Sequence, residues 1–228
     1  MTTTPTARER AALSRERILA AAVELADTDG VAALTMRALA ERLGVEAMSL
    51  YYHVANKAAL LDGVADAVVG EILGAVPDPG DGDDWRTALR TRILAARSVL
   101  LRHPWAPPLL TRPGAFGPAA VRYFEGVLAI LVRGGFSNDL AHHAIHALGS
   151  RAIGFAQELF TPGDAAEDVS EEVLAAMETE LPYLTGMLTE ISHDAASTLG
   201  WCDDQAEFEF GVDALLEGLE AARLRSAW

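Results

Sequence analysis

The chain has one cysteine (Cys202), one lysine (Lys57) and no long apolar run in its 228 residues. A single thiol excludes an internal disulfide and a cysteine-based zinc site. The longest aliphatic stretch, Val127 to Val132, is far shorter than the roughly 20 residues that span a bilayer. The first residues, MTTTPTARERAALSRER, lack the apolar segment of a secretion signal. A cytoplasmic protein with no membrane partner is expected. Alternating β-branched runs are scarce and half of the chain is hydrophobic, much of it Ala and Leu, so the expected fold is all-α. Catalytic signatures are missing as well. There is no Ser-His-Asp or Cys-His motif, no phosphate-binding glycine loop and no HExxH, so an enzyme is not expected and no cofactor is called for. His142 and His146 stand one helical turn apart, a metal-capable spacing, but without an assured third ligand no metal is expected.

Basic charge is also in short supply, and its placement is informative. The formal net charge is −15, yet residues 1–60 carry seven basic and seven acidic groups. All of the excess acidity therefore lies in residues 61–228, where it is held away from any polyanion bound by the neutral N-terminal part. A neutral head implies modest affinity for nucleic acid per chain, so two chains acting together are expected. Seventeen of the 18 basic residues are Arg, which suggests a GC-rich genome and makes the position of Lys57 conspicuous.

What is present is organised around Thr35 to Lys57. Thr35 is a hydroxyl N-cap, Met36, Leu39, Ala40 and Leu43 follow at helical spacing, and Gly44 supplies a positive-φ stop. Val45 restarts the chain into a second helix over Glu46 to Tyr52, with Leu50 facing back to the first. Helix, glycine turn and helix is the arrangement that places a recognition helix in a DNA major groove.

Upstream, Arg17 to Asp29 read as an amphipathic helix closed by Gly30. Downstream, a long helix from Asn56 to about Ala75 links head to body, and PDPGDGDD is a loop. Further helices are expected over Trp85 to Arg102, Pro118 to Arg133, Asn138 to about Phe160 and Asp204 to Arg225. A proline-rich bend lies at 104–113, and shorter helices should follow the loop at 161–170 as far as Leu199. The last helix carries Phe208, Val212, Leu215, Leu219 and Ala222 as its apolar stripe, with Gly211 and Gly218 where another helix would approach closely. The domain organisation read from this pattern is a flexible arm at 1–12, a three-helix helix-turn-helix domain at 13–58, and a larger helical effector-binding and dimerisation domain at 59–228.

The stretches LTMRALAERLGV, SLYYHV and NKAALLD resemble the helix-turn-helix of the tetracycline-repressor (TetR) family. The resemblance continues through Thr111 to Pro113 (TRP) and Gly134 to Ser137 (GGFS) in the body. It implies a ligand-responsive repressor that binds a palindromic double-stranded DNA operator as a homodimer. The helix from Asn138 and the last helix would pair with their symmetry mates in a four-helix bundle. Arg37 is expected to bond a guanine, Tyr51 to touch a thymine methyl, and Thr35, Ser49, Tyr52, His53 and Lys57 to contact DNA, chiefly its phosphates. Ala47 and Met48 stand where the tetracycline repressor has a hydrogen-bonding residue and a proline, so apolar readout of a different operator is expected.

The body is richer in aromatic and sulfur groups than the head, which suits a small, flat, largely apolar effector. Its expected lining is Trp85, Trp105, Phe116, Phe124, Phe155, Met177 and Trp201, with His103, Arg112 and Glu158 as polar members. By the resemblance, Arg112 and Glu158 match residues around a magnesium-chelated drug, but Pro108 and Ser150 replace the metal histidines. A tetracycline–magnesium site is therefore not expected. The competing readings are a small-molecule carrier or enzyme with a vestigial head, or a regulator that activates or acts without a ligand.

Overall fold

The computed structural model describes residues 13–76, 84–112, 117–154, 179–183, 185–186 and 204–226. Among them the regular structure is helical: α1 (Arg15–Asp29), a 3₁₀ turn (Val31–Ala33), α2 (Met36–Leu43), α3 (Ala47–Tyr51), α4 (Lys57–Ala75), α5 (Trp85–Arg102), α6 (Pro107–Leu110), α7 (Pro118–Arg133), α8 (Asn138–Gly154) and α9 (Asp204–Ser226). The all-α expectation therefore holds. No helix among the described residues is long and apolar enough to cross a membrane. The chain divides into two compact units, residues 1–145 and 146–228, with the division falling inside α8.

Each boundary in the first unit has a local cause. The Ser14 hydroxyl oxygen accepts the Arg17 amide at 3.2 Å, so α1 starts two residues before the expected position, and Gly30 closes it at φ 79°. Asn56 accepts the Ala59 amide at 2.9 Å to open α4. Asp84 accepts the Thr87 amide at 3.0 Å to open α5. The proline-rich bend contains a helical turn, α6, because Pro107 and Pro108 occupy first-turn positions that need no amide hydrogen.

The long helix α4 is the axis of this unit and packs against α1, α5, α6 and α7. Its Leu60 and Val64 enter the head core with Ile18, Ala22, Leu34, Leu39, Leu50 and Val54, all 0% exposed. One turn on, Val68 and Ile72 join Ala96, Val99, Leu100 and Ala106. Val69 packs with Ala119 and Ala120 on a third side. Burying each of these larger side chains stabilises by about 1.5–3 kcal/mol, so α4 is held by two hydrophobic cores in succession. At the far end of α5, Trp85 meets Phe136 edge-on at 4.7 Å, and a side chain at Gly134 would meet the Trp85 Cβ at 2.8 Å.

In the second unit the Arg151 guanidinium donates to the Glu207 carbonyl at 2.6 Å and lies 5.5 Å from the Phe208 ring centroid. A Cβ at Gly211 would stand 2.5 Å from that guanidinium, so this glycine makes room for a side chain of the neighbouring helix α8. Gly218 has open space around it within the single chain. The buried stripe of α9 runs through Phe208, Val212, Leu216 and Leu219, with Leu216 in the place assigned to Leu215. The expected continuation of α8 to Phe160, and most of the shorter helices toward Leu199, lie outside the described residues.

Candidate nucleic-acid interface and effector region

The Thr35 hydroxyl oxygen accepts the Ala38 amide at 3.1 Å, which starts α2 and leaves the hydroxyl hydrogen for an outside acceptor. Gly44 ends α2 in the left-handed region (φ 66°, ψ 37°), the conformation in which glycine is least strained. The chain then turns into α3, a five-residue helix whose only buried member is Leu50; Val54 is buried just beyond it. These two apolar anchors fix a helix too short to be stable alone.

What α3 presents outward is unusual for a water-facing surface. Met48 is 69% exposed and Tyr52 88%, Tyr51 and His53 are exposed, and Ala47 and Ser49 are half-buried. Arg37 on α2 and Lys57 at the first position of α4 are exposed too. Lys57 therefore sits beside the amide-rich end of a 19-residue helix, where a phosphate would be favoured twice. Two contacts not anticipated from sequence steady this surface. Arg15 of α1 donates to the His53 carbonyl at 3.3 Å just beyond α3, and Arg42 pairs with Glu24 at 3.2 Å to tie α2 to α1. The Glu16 carboxyl at the start of α1 is held below the usual carboxylate range by its own backbone amide and then by the Ser14 hydroxyl.

Among the described residues, those expected to line an effector pocket do not gather in one place. Trp85 and His103 stand at opposite ends of α5, about 27 Å apart at 1.5 Å per residue. Trp85 is engaged with Phe136. His103 is buried at the other end, with Nδ1 2.7 Å from Asp27 Oδ1 of α1 and Nε2 3.2 Å from Glu71 Oε2 of α4. Trp105 Nε1 donates to the same Asp27 oxygen at 2.7 Å. Arg112 is half-buried, its Nη1 3.3 Å from Asp62 Oδ1 of α4 in an ion pair without hydrogen-bond geometry. Phe124 on α7 lies edge-on to Tyr123 at 6.0 Å, and burial pushes the Tyr123 phenol up, with Arg92 pulling the other way. Phe116, Phe155, Glu158, Met177 and Trp201 lie outside the described residues.

Sequence reasoning missed the carboxylates of α4. Asp62, Asp66 and Glu71 each secure a different downstream segment: Arg112, the start of α7, and the α5–α6 corner. Asp66 Oδ1 accepts the Ala119 and Ala120 amides at 2.9 and 3.1 Å, capping α7 from another helix. Gly117 permits this, because a side chain there would collide with the Asp66 carboxylate. The one signal in the sequence was a glycine before Pro118 in a segment with no hydroxyl or acid to cap its own helix. Arg92 and Arg97 are also buried on α5, at 2% and 7% exposure, and Gly126 makes room for the Arg92 guanidinium.

Comparison with known proteins agrees with this architecture. Residues 18–64 match the family described as "Bacterial regulatory proteins, tetR family", and residues 76–223 match "Tetracyclin repressor-like, C-terminal domain". A transcriptional regulator of helix-turn-helix type from Saccharopolyspora erythraea is 38% identical over 94% of this chain and 87% of its own length. The class C tetracycline repressor protein of Escherichia coli is 32% identical over 93% of each. Among solved structures, apo ActR of Streptomyces coelicolor superposes with a TM-score of 0.74 at 26% identity, covering 96% of this chain and all of that one. The chain belongs to the tetR family of ligand-responsive, DNA-binding transcriptional regulators.

Proposed function

We propose that the chain is a homodimeric repressor that binds a palindromic operator and is released by a flat, largely aromatic effector. The observation that carries this reading is the outward face of α3 and its C-cap, where Met48, Tyr51 and Tyr52 stand in water on a short helix whose buried anchor is Leu50, with Val54 just beyond. Such a face has a use against base edges and thymine methyls and none in a free head. In this reading Arg37 bonds a guanine, Ala47 and Met48 read apolar edges, and Thr35, Ser49, Tyr51, Tyr52, His53 and Lys57 complete the contact. The head spans residues 13–58, and residues 59–228 take the effector and form the dimer; the arm expected at 1–12 lies outside the described residues.

Relatives support the effector class. ActR of Streptomyces coelicolor, 27% identical to this chain, has been solved with actinorhodin, and a TetR variant from Acinetobacter baumannii, 28% identical, with minocycline. Arg112 and Phe124 are the described residues we assign to the effector region, with Trp85 a core residue at its edge. Pro108 and Ser150 stand in place of the metal histidines, so a tetracycline–magnesium chelate is not the effector we assign.

The test is selection of DNA from a random pool by the full chain, followed by a mobility shift with flat aromatic compounds added. A palindromic selected site whose complex is released by such compounds is expected. Selected DNA without two-fold symmetry, or a complex indifferent to every such compound, would contradict the respective half of the proposal.

A further inference from the structure

We infer that the turn from His103 to Trp105 is the joint by which the body fixes the orientation of the DNA-reading head, with His103 as its positioning residue. The inference rests on the reading of the head as an operator-binding unit. His103 is 5% exposed, and both of its ring nitrogens face carboxylates from different helices, Asp27 of α1 and Glu71 of α4. A ring that carries a hydrogen on each nitrogen donates to both. Its main chain is equally committed. The His103 amide donates to the Val99 and Leu100 carbonyls and ends α5, and its carbonyl accepts the Ala106 amide at 2.8 Å to begin the turn into α6. Any movement of the α5–α6 corner is therefore transmitted through this short side chain to α1 and α4.

Trp105 strengthens the same connection. Its indole packs against the head core and also against the core formed by α4, α5 and α6. Its N–H shares the Asp27 oxygen with His103, whose ring lies edge-on to it at 5.7 Å. Glu71 is itself held by Arg102 at 3.2 Å, so the charged groups around His103 are Asp27, Glu71 and Arg102. An ordinary stabilising cluster would tie together one core. This one ties the only buried histidine among the described residues to two elements on either side of a boundary between cores.

The functional consequence concerns distance. Two heads that meet a palindrome together must match its half-site spacing, and a fixed joint makes that match strict. Loosening it lets the heads adapt, at an entropic cost on binding.

The experiment uses the full chain and the DNA it selects from a random pool. The spacer between half-sites is then lengthened and shortened by single base pairs. The wild type should bind sharply best at one spacing. His103→Ala should bind that site roughly tenfold more weakly, the equivalent of one lost coupling of ordinary size, and with a flattened spacing profile. His103→Asn, which keeps a donor toward Asp27, should retain more of the spacing preference than His103→Gln, which keeps one toward Glu71. Hydrogen exchange of amides 24–34 should be faster in folded His103→Ala. Wild-type affinity and profile in His103→Ala would overturn the inference. So would weaker binding that only follows lost thermal stability, with an unchanged profile. If the wild type selects no DNA, the operator-binding reading fails instead, and unchanged exchange at 24–34 would then overturn the joint by itself.

Discussion

The head and the body are made of different interiors. In the head, the buried cluster contains only Ala, Val, Leu, Ile and Met, and the polar groups named above sit at helix ends, where Ser14 and Thr35 cap locally. In the body, α5 alone buries Arg92 and Arg97 and ends on buried His103. Apolar packing has no preferred partner beyond shape, so the head is a fixed platform. Buried charge is costly unless matched by specific groups, so the geometry of the body depends on partners, and partners are what a ligand can replace. The difference teaches where rigidity and responsiveness reside in one chain.

The strongest way to break this comparison is to damage the platform. Leu50→Ala removes a fully buried anchor of α3 and should cost about 2–5 kcal/mol in thermal or denaturant unfolding, with loss of DNA binding. Met48→Ala, two residues before Leu50 but on the exposed side of the same helix, should leave stability within about 0.5 kcal/mol while still weakening binding. If both variants unfolded alike, the division of α3 into an anchored face and a reading face would be wrong.

A smaller effect is expected from Gly117→Ala, which drives the Asp66 carboxylate off the two α7 amides it caps. The loss should be about 1–2 kcal/mol, the upper range for a helix cap, because the cap also joins α7 to α4. Asp66→Ala should cost a similar amount, and the double variant no more than either alone. Additive losses would mean that the glycine and the carboxylate act separately.

The smallest effect concerns the start of α5. The Asp84 carboxyl lies below the usual range because the Thr87 amide, and then the Thr87 hydroxyl, hydrogen-bond its ionised form. A depressed folded value means that the cap stabilises fully above the ordinary aspartate range and is lost as pH falls through the folded value. Asp84→Ala should therefore cost about 1 kcal/mol at neutral pH and progressively less in acid, seen as converging unfolding curves. A constant difference between the two proteins down to the acid limb would refute this assignment.

How far these features were legible in sequence follows their range along the chain. Thr35, Gly44, Asn56 and the limits of α5 were readable because a cap and the amide it satisfies lie within four residues. Where the same local rule was applied too narrowly, small errors followed. Ser14 starts α1 two residues early, and Pro107 and Pro108 begin a helical turn instead of a bend. Leu215 and Leu216 differ by 100° around α9, and only packing decides which is buried. The bonds of Asp27, Asp66 and Glu71 join residues 32 to 78 positions apart and left no periodic trace. For the same reason His103 and Trp105 read as pocket lining, since a buried histidine and an indole look alike in sequence whether they face a ligand or a neighbouring helix.

The central claim, that α2 and α3 form a surface which binds operator DNA as a pair, is tested most directly by fluorescence anisotropy on the selected DNA. Wild type and Arg37→Ala would be compared at two salt concentrations. The account predicts two protomers per site, affinity that falls steeply with salt, and a loss of about 1–3 kcal/mol in Arg37→Ala concentrated at one base pair of each half-site. Equal binding by the two proteins at both salts, or one protomer per site without salt dependence, would contradict it.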